Sequence, residues 1–203
     1  MRTNKRRVSV MGAHPKQCWP PCSYLYLDQV GSGPGPVFFN DFAFGIRELA
    51  FETPQPVHIT QSPSLPKPES PYPESTSLEE YFYTSAILDN VTELTPCRFE
   101  TGSGSFISGL LLRYSNGCRA CVGQIRLDRL QHSLAVGTSQ KMCLGFSQIS
   151  DGCPRLVSVG FSGLSRIDLN NLEIPLCGKL EWWFSHRQCK VYHDGRASLK
   201  TRY

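Results

Sequence analysis

The 203-residue chain is expected to be all-β, with antiparallel sheets forming a β-sandwich or a β-prism-like body, a Pro-rich loop and a mobile N-terminus. Three observations lead there. Residues 106–128, FISGLLLRYSNGCRACVGQIRLD, set two apolar-rich segments around Asn116-Gly117, a pair suited to a tight type I′ turn. From Val91 onward, β-forming runs recur between turn signals, at 91–95, 106–114, 118–127, 141–147, 156–161, 172–177, 179–185 and 189–193. A loose apolar-x-x-Leu frame repeats at Ile46, Val91 and Ile107.

With 40% apolar and 19% charged residues, the chain can bury a core of one domain. Residues 1–23 are basic and contain prolines, which predicts a mobile tail, and residues 24–203 read as a single β-rich domain. Strand-forming runs at 24–30 and 37–51 flank GSGPGP at 31–36. That stretch is a flexible turn and not a phosphate loop, since no Lys-Ser/Thr follows its glycines. Between 53 and 75, prolines at 54, 56, 63, 66, 68, 71 and 73 remove N–H donors and favour an extended excursion. Pro66-Lys67-Pro68 and Pro71-Tyr72-Pro73 within it have the make-up of a ligand for an aromatic groove, although a plain loop accounts for them too. At 77–90, Ser77-Leu78-Glu79-Glu80 spells a capping box, whereas Tyr81-Phe82-Tyr83-Thr84 favours a strand. Strand is the preferred reading.

A two-residue turn at Asn116-Gly117 pairs Tyr114 with Arg119, Leu112 with Cys121, Leu110 with Gly123 and Phe106 with Leu127 on a core face. The other face sets Leu111 against Val122, Gly109 against Gln124 and Ile107 against Arg126. Gln124 and Arg126 thereby become candidate binding residues near a sheet face. In 180–194, LEWWFSHRQCKVYHD, alternation sends Leu180, Trp182 and Phe184 one way, and Lys179, Glu181, Trp183 and Ser185 the other. With Arg187-Gln188 as the turn, Trp183 lies beside Tyr192 and Trp182 beside His193. An aromatic pair set among Glu181 and Lys190 is the make-up of a sugar-stacking platform or a protein hot spot. On this register Trp183 is exposed and Trp182 buried, unless the Pro-rich loop covers Trp183.

Other chemistry is disfavoured. The net charge of +4 is scattered, which argues against nucleic acid as a partner, and no apolar run approaches the roughly 20 residues of a membrane span. The N-terminus lacks an apolar signal-peptide core, so a cytoplasmic or nuclear address is expected, in which nine cysteines are mostly buried thiols and no cofactor is called for. Cys118 and Cys121 form a CxxC that, with His186 and Cys189, is the alternative zinc set; Cys18, Cys22 and His193 are further donors. Strand alternation splits the CxxC thiols between faces, so no metal is the primary expectation. Five scattered histidines without a GxSxG or HExxH motif give no catalytic arrangement. Ser9, after Arg6-Arg7, is a modification candidate for a basophilic kinase.

The motifs GLLLRYSNG, GQIRLD and LEWWF resemble a group of uncharacterised filamentous-fungal proteins, over roughly the C-terminal half of the chain. More distantly, Ile107-x-x-Leu110-x-Leu112-x-Tyr114-x-x-Gly117 is similar to a strand motif of jacalin-like β-prism lectins. That similarity implies sugar binding, although the lectins' Gly-x-x-x-Asp loop has no counterpart near the C-terminus. The sequence therefore reads as a non-catalytic intracellular binding module for a protein partner or a glycan. A lectin-like domain and a zinc-stabilised domain are the alternatives.

Overall fold

The computed structural model describes residues 14, 37–42, 45–51, 67–74, 79–102, 104–148, 153–161 and 171–198. The 1–23 tail apart from His14, the run at 24–30, the turn at 31–36, Ser9, Cys18, Cys22 and most of the Pro-rich excursion lie outside them. The chain divides into two compact units, one of residues 1–11 and 15–67, the other of residues 12–14 and 68–203. In the first, β1 (Val37–Phe42) and β2 (Gly45–Phe51) pair antiparallel, with a register shift between Asn40 and Asp41. The run at 37–51 is thus a hairpin.

Among its described residues the second unit has three antiparallel sheets and no closed barrel, an all-β arrangement that fits a β-sandwich. The first sheet has the order β6-β5-β4-β7, from β4 (Val91–Thr101), β5 (Gly104–Tyr114), β6 (Arg119–Gly123) and β7 (Leu134–Ala135). The second runs β10-β8-β9, from β8 (Lys141–Gln148), β9 (Pro154–Gly160) and β10 (Asn171–Pro175). The third runs β13-β12-β11-β3, from β3 (Phe82–Ile87), β11 (Lys179–Phe184), β12 (Cys189–His193) and β13 (Arg196–Ala197). Strand, not helix, therefore occupies most of the 81–90 stretch. All three sheets feed one core, where Leu94, Leu110, Leu112 and Val122 meet Met142, Leu144, Leu156 and Ile174 and also Leu180, Trp182 and Val191. Removing such side chains from water is the main force joining the sheets.

The β5–β6 hairpin forms, but one residue out of the expected register. Leu112 faces Ala120, Leu111 faces Cys121 and Leu110 faces Val122. The loop has three residues: the Gly117 N–H reaches the Tyr114 carbonyl at 2.9 Å, the Tyr114 N–H reaches that of Cys118 at 2.9 Å, and Gly117 takes φ +79°. A tight turn followed by a left-handed glycine is the standard three-residue alternative to type I′. Because the side-chain period is two, this single slip turns Val122 into the core and Cys121 out to solvent, the reverse of the expectation.

A second irregularity inverts the start of β5. Register shifts between Cys97 and Arg98, leaving Ser108 as the extra residue, its hydroxyl donating to the Gln124 carbonyl at 2.9 Å. The bulge reverses alternation. Ile107 is consequently in the core, and Phe106 is half-exposed beneath the Arg155 guanidinium. At Gly123 (φ +73°) the chain leaves the sheet, so the pairs expected for Gln124, Arg126 and Leu127 do not form, and Leu127 is exposed in a 3-10 turn over Leu127–Arg129. A Cβ on Gly123 would stand 2.3 Å from the Ser108 carbonyl oxygen. Only glycine fits that turn-off.

Candidate functional site: a strapped aromatic face

β11 alternates as expected. Leu180 and Trp182 enter the main core, while Lys179, Glu181 and Trp183 lie on the opposite face of the third sheet. The β11–β12 register differs from the expected one by two residues, since the connecting loop is Ser185 to Gln188 and not Arg187-Gln188. Trp183 pairs with Lys190, Glu181 with Tyr192 and Trp182 with Val191. A slip of two preserves faces, so Trp183, Tyr192, Glu181 and Lys190 still share one side. Tyr83 and Ser85 extend that side across β3.

The loop is stapled by Glu79, which the capping-box reading had assigned to a helix start. Its buried carboxylate accepts from the Ser185 hydroxyl at 2.5 Å and from the Gln188 side-chain amide at 3.0 Å. Ser185 Oγ in turn accepts the N–H groups of Arg187 and Gln188 at 3.0 and 3.1 Å. These bonds satisfy the loop's donors and set the four-residue length.

Trp183 is not exposed: its relative accessibility is 1%. Alternation put it on the outer side, but residues 68–74 of the Pro-rich excursion lie over that side and bury it. The Trp183 indole N–H donates to Ser70 Oγ at 2.8 Å, and the rings of Tyr72, His14 and Tyr83 surround it at centroid distances of 5.3, 5.1 and 4.8 Å. Tyr72 packs edge-on against Tyr81 and accepts the Tyr81 N–H at 3.0 Å through its hydroxyl oxygen. Tilted and edge-to-face rings of this kind combine large apolar burial with favourable quadrupole contacts.

Glu181 anchors the strap. The residue is 3% exposed and its carboxylate accepts four bonds: from Glu69 N–H at 2.9 Å, Ser70 N–H at 2.7 Å, the Tyr83 hydroxyl at 2.5 Å and Lys179 Nζ at 2.8 Å. Burial alone would raise its pKa, but these donors outweigh burial and hold it at about 2. The same contact works on its partners. Tyr83, buried and bonded to a carboxylate, is pushed up to about 12, and Lys179 is raised by Glu181 and Glu69 despite the opposing effect of burial. Lys190, also buried, donates to the Glu74 carbonyl at 3.4 Å, while burial, with Glu74 nearby, raises Tyr192.

The other expected site residues fall elsewhere. Gln124 and Arg126 are exposed on the segment after β6, where the Arg126 guanidinium forks onto Asp128 at 3.1 and 2.9 Å. The alternative zinc set is not assembled. Cys118 directly follows the β5–β6 loop, Cys121 is exposed by the register slip, His186 is exposed in the β11–β12 loop, and Cys189 is buried with its thiol pushed up to about 12 by burial. Among the described residues no three His, Cys, Asp or Glu side chains converge on one point. A surface cleft of about 620 Å³ lies beside β4, β5 and β7, lined by Thr92, Glu93, Arg113 and Ser133. The Ser133 hydroxyl and Arg113 hold the Glu93 carboxyl below the usual carboxylate range.

Sequence reasoning had named four members of the strapped face but missed Glu69, Ser70, Tyr81, Tyr83 and His14. Glu69 contributes to Glu181 through a backbone N–H, a group every non-proline residue carries, so no side-chain signal could have marked it. Among the described residues no helix is long and apolar enough to cross a membrane. Comparison with protein-family models, curated proteins and solved structures finds no match to this chain.

Proposed function

We propose that the chain is a non-catalytic interaction module, cytoplasmic or nuclear, which binds an extended proline-containing segment of a protein partner on the β3–β11–β12 face. One observation carries the reading: a Pro-rich segment of the chain itself already lies on that face. Pro68, Pro71 and Pro73 stiffen it, Glu181 takes its two successive N–H groups at the bend of Glu69 and Ser70, and an aromatic cluster takes Tyr72. Extended, Pro-rich peptides dock on aromatic-lined grooves in this way, at low entropic cost because their backbone is already stiff. The thiols of Cys97, Cys118, Cys121, Cys177 and Cys189 favour the reducing address.

A tethered occupant competes at an effective concentration on the order of millimolar, so a partner in solution binds well only when the strap is loosened. A synthetic peptide of residues 67–74, fluorescently labelled, tests this against the chain and its Ser70→Gly/Tyr72→Ala variant. Saturable binding is expected with the variant at least tenfold tighter than with the unaltered chain, and none with a scrambled peptide. A variant that keeps its β5 amide protection and binds neither peptide overturns the reading. Selective retention on a glycan array instead would transfer the face to sugars.

A further inference from the structure

We propose that Ser70 is a phosphorylation site whose modification lifts residues 68–74 off the aromatic face. This rests on the reading of that face as a peptide site. Ser70 is followed by Pro71, the minimal unit recognised by proline-directed serine kinases; it sits half-buried in a bend at Glu69 and Ser70, so the enzyme takes it when the strap opens. The reaction transfers the γ-phosphoryl group of a nucleoside triphosphate to Ser70 Oγ. The P–O bond to the β-phosphate breaks, an Oγ–P bond forms, the hydroxyl proton passes to the kinase's base, and the nucleoside diphosphate leaves.

The surroundings of Ser70 make it the residue through which such a charge acts. Its Oγ sits 2.8 Å from Trp183 Nε1, and its N–H lies 2.7 Å from Glu181 Oε2. A phosphate there adds a charge of about −1.5 to −2 beside a buried, ionised carboxylate, with Glu69 adjacent. Lys179 is already committed: its Nζ bridges Glu181 at 2.8 Å and Glu69 at 3.2 Å. Lys190 donates to the Glu74 carbonyl and pairs across the sheet with Trp183. Like-charge repulsion and the cost of burying a dianion against an indole both fall on the strap, whose two bonds to Glu181 and one to Trp183 meet at Glu69 and Ser70 themselves. Release exposes Trp183 and Tyr83.

The test treats the full chain with a proline-directed serine kinase and Mg-ATP, maps the phosphate by peptide mass spectrometry, and follows exchange of the Glu69 and Ser70 amides. Phosphate at Ser70 with at least tenfold faster exchange of both amides, and β5 protection unchanged, is expected. Ser70→Ala, which has no hydroxyl to modify, should show no change in the exchange of these two amides on treatment with the kinase. Failure to modify Ser70, or a phosphorylated chain whose amides stay protected because Lys179 and Lys190 hold the phosphate, overturns the proposal. Neither readout uses a peptide ligand, so failure here is distinct from failure of the peptide-binding reading.

Discussion

Replacing Glu181 by glutamine should expose how much the strap contributes to stability. The carboxyl is held at about 2 against an ordinary 4.5. At 1.36 kcal/mol per unit, that displacement corresponds to about 3 kcal/mol, in the range found when one partner of a buried ion pair is removed. The sign follows from a depressed pKa. The stabilisation is complete above about pH 4.5, where the unfolded chain is also ionised, and is lost as pH falls through about 2. Tyr83 acts at the other end: its phenol is raised from 10.0 to about 12, so the contribution of its neutral form holds below pH 10 and disappears as pH rises through 12. Glutamine keeps the shape of the side chain but replaces one acceptor oxygen with a donor, which must face Glu69 N–H, Ser70 N–H, Tyr83 or Lys179. Urea denaturation of both proteins from pH 7 to pH 2.5 is the assay. Glu181→Gln should lower stability by about 3 kcal/mol at pH 7, or roughly 6–12 °C in Tm, and the deficit should shrink steadily below pH 4.5. Carboxylates elsewhere titrate equally in both proteins and cancel in the difference. A deficit under about 1 kcal/mol at pH 7, or one unchanged at pH 3, would refute the clamp.

Two further outcomes follow from the geometry. Gly123→Ala should cost about 3 kcal/mol or more, because its Cβ would meet the Ser108 carbonyl at 2.3 Å, whereas Gly117→Ala, with open space around it, should cost only the roughly 1 kcal/mol of a left-handed backbone; thermal melts compare them. Trp183→Ala should destabilise the chain by about 3–5 kcal/mol, as large buried truncations do, and calorimetry showing a change under 1 kcal/mol would place Trp183 at the surface after all.

Strand positions and fold class were legible in the sequence because they depend on local composition. β-formers between turn residues located β4 to β6 and β8 to β12, and alternation correctly separated Trp182 from Trp183. Register was not legible, since it depends on how many residues a loop absorbs. Asn116-Gly117 suits a two-residue turn as well as a three-residue one, and the Ser185–Gln188 loop takes its length from Glu79, over a hundred positions away. The bulge at Ser108 is stabilised by the Gln124 carbonyl after β6, so no periodicity within β5 announces it.

The sequence by itself determined an all-β chain with a two-faced β11 and a Pro-rich stretch suited to an aromatic groove. Only the tertiary structure decided that the groove is the chain's own. Trp183 looks like a surface residue while β11 is considered alone, because burial is a property of what comes to lie over a side chain, and here that is a segment whose Ser70 lies 113 positions earlier. Pattern along a strand fixes which way a side chain points, but not what it meets.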